Sequence, residues 1–106
     1  MEFRDYENAA ARTINPRLDR EGRLMDAAAG LAEESGEVLA LVRKHLYQQR
    51  PLDRDRLIEE LGDALWCLAI TARTAGVSLD DVAAANIAKL SGRHPETREE
   101  GMGKRE

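Results

Sequence analysis

The chain has 106 residues, 42% hydrophobic and 34% charged, with a formal net charge of −4. That length holds one domain, and the acidic balance argues against a nucleic-acid partner, whose phosphates demand clustered Lys and Arg. One cysteine, Cys67, excludes an internal disulfide, and no Cys/His spacing suits a metal. No apolar run approaches membrane-spanning length, and the charged start Met-Glu-Phe-Arg-Asp-Tyr-Glu lacks the apolar core of a signal peptide. A soluble cytoplasmic protein is expected. Much of the hydrophobic share is alanine and only four residues are aromatic. A monomer would have a thin core, so burial of helix faces against further copies of the chain is the natural remedy.

Helix formers dominate and no window alternates apolar with polar residues, so an all-α fold is expected. A first short helix is predicted over about Glu2 to Arg12, stopping before Asn15-Pro16. A second starts near Asp19 or Arg20 and runs to about Gln49, with Leu24, Ala28, Leu31, Ser35, Val38, Val42 and Leu46 as its stripe; Pro51 ends it. Asp53 suits the N-cap of a third helix, whose expected inner face is Leu57, Leu61, Ala64, Leu65, Leu68 and Ala72, closed by Gly76 as a C′ residue. Ser78 caps a fourth, with Asp81 at the capping-box position and fraying near Gly92. Two long helices thus form a hairpin with a shorter helix at each end. Residues 1–92 make the domain, and 93–106 are a polar, flexible tail.

Each long helix carries a carboxylate cluster: Glu33-Glu34-Ser35-Gly36-Glu37 on one, Glu60-Leu61-Gly62-Asp63 on the other. At about 100° per residue, Glu34 and Glu37 lie roughly 60° apart on one flank of their stripe, and Glu60 and Asp63 repeat the relation. Antiparallel packing through the stripes brings both pairs to one groove. Four facing carboxylates repel unless a cation sits between them. All-oxygen ligation suits Mg²⁺, or Mn²⁺, with open positions left for water and phosphate oxygens. Gly36 and Gly62 each carry a helix-interior penalty of roughly 1 kcal/mol against alanine. Taken beside both clusters, that penalty predicts a close approach of backbone or ligand there. Taken singly, Glu33 or Glu59 reads better as a solvated surface acid. A di-iron bundle is set aside, because neither His45 nor His94 follows a glutamate by three residues.

The stretch Gly30-Leu31-Ala32-Glu33-Glu34-Ser35-Gly36-Glu37-Val38, followed by Glu59-Glu60-Leu61-Gly62-Asp63-Ala64-Leu65-Trp66, closely resembles the MazG-like all-α nucleotide pyrophosphohydrolases, whose hallmark is EExxE and then ExxD. The likeness continues upstream at Tyr6 and Arg12-Thr13, and downstream at Gly76-Val77-Ser78-Leu79 and Asn86-Ile87-Ala88-Lys89-Leu90. It implies hydrolysis of a nucleoside triphosphate between the α and β phosphates, with Glu34, Glu37, Glu60 and Asp63 binding Mg²⁺. Glu33 is then implicated in activating water or holding a further metal, Lys89 in binding phosphate and Asn86 in binding sugar or base. The resemblance also implies a dimer or a dimer-of-dimers tetramer, a four-helix-bundle type of homo-oligomer, and a role in removing unwanted nucleotides.

Lys44 and Arg93 are candidates for phosphate contact, and equally are helix-end charges favoured by the macrodipole. Trp66 has two readings, a base-stacking residue or a filler of core or interface. His45 reads as a surface residue and Cys67 as a small buried hydrophobe. The chain departs from many relatives at Cys67, where they have an aromatic, and at Arg93-His94-Pro95, where they have Arg-Tyr-Pro, so base preference does not carry over. Two alternatives stand beside the triphosphate reading: a phosphoribosyl-ATP pyrophosphohydrolase, and a non-catalytic helical module that binds a protein partner.

Overall fold

The computed structural model describes residues 1–93, arranged as four α-helices: α1 Phe3–Ala11, α2 Arg20–Tyr47, α3 Arg54–Thr74 and α4 Leu79–Arg93. Among the described residues there is no strand, and no helix is long and apolar enough to cross a membrane. The tail expected from residue 93 lies outside the described residues, apart from Arg93, the last residue of α4.

Helix ends follow local chemistry. Asp19 accepts a hydrogen bond from the Gly22 amide at 2.8 Å, and Asp53 from the Arg56 amide at 3.1 Å, so each caps its helix, Asp53 as predicted. α3 ends on Gly76 at φ +84, with Val77 N–H donating to the Ala72 carbonyl and Gly76 N–H to that of Arg73. That paired pattern needs a left-handed residue at the turn, which glycine adopts without strain. Ser78 Oγ accepts from the Asp81 amide at 3.0 Å at the start of α4. The same helix start is held from α1: the buried Glu7 carboxylate accepts from the Leu79 amide at 3.2 Å. Two helices distant in sequence are locked together by that bond.

α2 and α3 form the antiparallel hairpin, with α1 and α4 packed on α3 and on each other. The register is set at Gly30, where an added Cβ would stand 2.7 Å from the Cys67 sulfur. The core proper is Ala10, Ala27 and Ile70, one residue from each of three helices, flanked by Tyr6, Ile14 and Trp66. Ile70 is the largest fully buried side chain, a burial that contributes about 1.5–3 kcal/mol.

One expected face is corrected. Leu61, Leu65 and Leu68 of α3 were assigned inward, yet they are 49%, 38% and 37% exposed, while Glu60, Cys67, Ala69 and Ile70 are buried. The packed face is rotated from the leucine stripe because small residues admit α2 at close range and leucines would hold it off. Within α2, Ala28, Ser35 and Leu46 are likewise exposed, and Leu24, Leu31, Val38 and Val42 half-buried. At Gly36 and Gly62 a Cβ would meet nothing within 4 Å in one chain, so the chain's own backbone makes no close approach there, and the tight contact within the chain falls at Gly30.

Candidate metal centre

α2 delivers Glu34 to the seam four residues, about one turn, beyond Gly30, and α3 delivers Glu60 and Asp63 from its first half. One carboxylate oxygen from each of Glu34, Glu60 and Asp63 lies within 4.8 Å of the others. Glu60 is buried, Glu34 half-buried and Asp63 exposed, so the cluster has a shielded floor and an open mouth. Glu34 Oε1 is shielded from solvent and has no hydrogen-bond partner among the described residues. The Glu34 carboxyl is pushed up to about 7, first by the proton it can share with Glu60, then by burial, then by the charges of Asp63, Glu60 and Glu33. Three crowded acids with an orphaned oxygen form a donor set that a hard cation would satisfy.

Two neighbours were not singled out as site residues from the sequence. Arg56 Nε pairs with Glu60 Oε2 at 3.2 Å, one helical turn apart, and the guanidinium is held above its usual range first by that hydrogen bond and also by the charges of Glu60, Glu59 and Glu37. The four-residue spacing was a readable signal. The pair joins a half-exposed guanidinium to a buried carboxylate, so its importance is local charge balance. Tyr6 of α1 feels the charge of the cluster. Its phenol is pushed up by burial and by the charges of Asp63 and Cys67, and no spacing in the sequence pointed to it. Cys67 is buried as expected, its thiol raised first by burial and then by Glu34, Asp26, Asp63 and Glu33.

The other candidates are placed as follows. Glu37 and Glu33 are exposed on α2 and stand outside the three-acid group, Glu37 near enough to act on Arg56 and Glu33 near enough to act on Glu34. Trp66 packs beside the core and its indole donates to Thr13 Oγ1 at 2.8 Å. Lys44 lines a cavity of ≈ 440 Å³ at the hairpin turn with Arg50, Asp53 and Arg56. His45 is exposed, its Nδ1 2.7 Å from the Arg50 carbonyl. Asn86, Lys89 and Arg93 are exposed on α4.

Comparison with known proteins points to one family. The chain is 39% identical over 72 residues to the uncharacterized protein YvdC of Bacillus subtilis (strain 168), an alignment covering 59% of this chain and 68% of that protein. No solved structure matches the chain. The family model of the MazG nucleotide pyrophosphohydrolase domain matches residues 25–98, which include Glu33, Glu34, Glu37, Glu60 and Asp63. With both acidic motifs intact and most of the chain covered, this protein belongs to the MazG nucleotide pyrophosphohydrolase domain family.

Proposed function

We propose that this protein hydrolyses ribo- or deoxyribonucleoside triphosphates between the α and β phosphates, giving a nucleoside monophosphate and pyrophosphate in a Mg²⁺-dependent reaction that clears unwanted nucleotides. The carrying observation is the meeting of Glu34, Glu60 and Asp63 within 4.8 Å. These three would hold Mg²⁺, with Mn²⁺ fitting the same oxygen donors, and Glu37 completes the set from the next turn of α2. When bound, the ion neutralises polyphosphate charge and lowers the pKa of an attacking water.

Glu33, next to Glu34 and open to solvent, takes the proton of the water that attacks the α phosphorus. The bond from that phosphorus to the bridging oxygen breaks, and pyrophosphate leaves with the electron pair. Arg56, paired with Glu60, receives the negative phosphates beside the acids, and Lys44 and Arg50 extend the positive charge around the cavity that Arg56 also lines. Lys89 and Arg93 add positive charge from α4 and Asn86 a donor and acceptor for sugar or base. Trp66 serves the core in this scheme, since Thr13 already takes its indole N–H.

The working form is a homo-oligomer, a dimer or tetramer built as a four-helix bundle. Support comes from the outward apolar surface: Ile58, Leu61, Leu65 and Leu68 on α3, and Val82, Ile87 and Leu90 on α4, are each at least 37% exposed. Exposed apolar side chains in this number are what a second copy buries. Gly36 and Gly62, open in one chain, leave room for that copy. A monomeric mass by light scattering at micromolar concentration would overturn the oligomer.

The reaction is tested by pyrophosphate release from standard and damaged nucleoside triphosphates, with Mg²⁺, with EDTA, and in Asp63→Asn. Release that needs both the metal and Asp63 supports the proposal and reads out base and sugar preference. Silence on every triphosphate, in protein whose melting temperature Mg²⁺ raises, moves the assignment to phosphoribosyl-ATP or another pyrophosphate ester. Silence with no response to Mg²⁺ moves it to a partner-binding module.

A further inference from the structure

A second charged site lies further along the same seam. At the open end of the hairpin, Arg20 and Arg23 of α2 and Arg73 of α3 line a cavity of ≈ 370 Å³ whose apolar wall is Ile14 and Leu18. Three arginines line this one cavity in a chain whose net charge is −4. The one carboxylate on the cavity wall, Asp19, is engaged in capping the Gly22 amide. Among the described residues none of the three arginines lies within 4.0 Å of a carboxylate, the sole ion pair being that of Arg56 with Glu60. Arg73 Nη1 reaches only Asn8 Oδ1, at a long 3.4 Å. Arg23 Nε is shielded from solvent with no acceptor among the described residues.

We propose that this cavity is a phosphate-binding site, separate from the acidic cluster, in which Arg20, Arg23 and Arg73 grip a phosphoryl oxyanion. The planar donor fork of arginine matches such an anion, and a shielded N–H without an acceptor is the group that one would satisfy. The cavity falls within the ordinary range for small-ligand sites, roughly 300–1,000 Å³. Arg73 lies ten residues beyond Asp63 on α3, and Arg23 eleven before Glu34 on α2, so the two sites are about 15 Å apart along the helices. Phosphates gathered by a cation at the acids do not reach that far. The site therefore stands on its own arginines, whether or not the chain cleaves triphosphates.

The test is equilibrium dialysis of the full chain against labelled inorganic phosphate and pyrophosphate in EDTA, which removes any cation-held phosphate at the acids. Saturable binding is expected, weakened at least tenfold in Arg23→Gln and in Arg73→Gln and unchanged in Asp63→Asn. Arg20→Gln, at an exposed position that leaves the fold intact, is expected to weaken binding as well. A nucleoside monophosphate is the third probe. Affinity equal to that of phosphate assigns the site to the phosphate group of a nucleotide, and clearly tighter pyrophosphate assigns it to the free anion. No saturable binding at millimolar concentration, or equal binding by wild type and all three arginine variants, overturns the proposal.

Discussion

The acidic cluster and the arginine-lined cavity sit on one helix seam and solve opposite problems. Glu34, Glu60 and Asp63 crowd negative charge that Arg56 only partly balances, and the strain surfaces as a glutamate that holds its proton up to about 7. Arg20, Arg23 and Arg73 gather positive charge around a cavity whose one carboxylate is Asp19, and among the described residues none of the three lies within 4.0 Å of a carboxylate. Between them lie Ala27, Gly30, Cys67 and Ile70, small or apolar residues that bring the helices close and carry no charge. At about 15 Å separation, beyond the Debye length of about 8 Å at physiological salt, the two regions do little to neutralise each other. Each therefore keeps an unmet demand for a ligand of opposite sign, and the demands can be met independently.

The largest effect should separate the regions outright. Asp63→Asn removes a proposed ligand oxygen and should lower Mg²⁺-dependent pyrophosphate release by about 10²–10⁴-fold, several kcal/mol of transition-state stabilisation. Phosphate binding in EDTA should not change. Loss of both together would show that the regions act as one site.

Gly30→Ala strikes the spacer instead. Its new Cβ would stand 2.7 Å from Cys67 Sγ, so the helices must part or the thiol must shift. Overpacking of this kind destabilises by about 1–3 kcal/mol in urea unfolding. Because the spacer serves both regions, the responses to Mg²⁺ and to phosphate should weaken in step.

Acid and base also divide the regions, since the acidic cluster holds a carboxyl, Glu34, raised toward neutrality, whereas guanidiniums keep their charge throughout. Glu34 ordinarily loses its proton near 4.5 and here near 7. Between those values the folded chain binds more protons than the unfolded one, so stability falls as pH rises through that window. Thermal melting of metal-free protein should therefore decline from about pH 4.5 to pH 7 and then level off with respect to this group. Mg²⁺ should restore stability above pH 7 and have little effect at pH 5, where a proton competes for the site. An unchanging melting temperature across the window would mean that the three carboxyls do not interact.

The smallest effect tests the open glycines. In an isolated helix Gly36→Ala should stabilise by up to about 1 kcal/mol, for nothing lies within 4 Å of the added methyl. Destabilisation accompanied by a lower mass in light scattering would instead place a second copy against that turn.

Legibility followed range. The helix ends were readable because Asp19, Asp53, Ser78 and Gly76 act on amides and carbonyls a few residues away. Arg56 was readable on the same ground, one turn from Glu60, and was passed over. The buried face of α3 was not, because Leu61, Leu65 and Leu68 make as good an apolar stripe as Cys67 and Ile70, and periodicity does not say which stripe meets α2. Gly30 rather than Gly36 or Gly62 proved the close contact, since all three look alike until a partner helix is present. Glu7 capping α4 and Tyr6 beside Asp63 join residues more than fifty positions apart, beyond any local rule.

By itself the sequence determined an all-helical chain, its helix boundaries and two acidic motifs at one-turn spacing, all properties of neighbouring residues. Only the tertiary structure decided that Glu34 meets Glu60 and Asp63 while Glu37 stays outside the group, and that arginines fifty residues apart share one cavity. The physical reason is the register of α2 on α3. Small-residue packing at Gly30 and Cys67 sets it, and a one-residue rotation of either helix would bring different side chains to the seam.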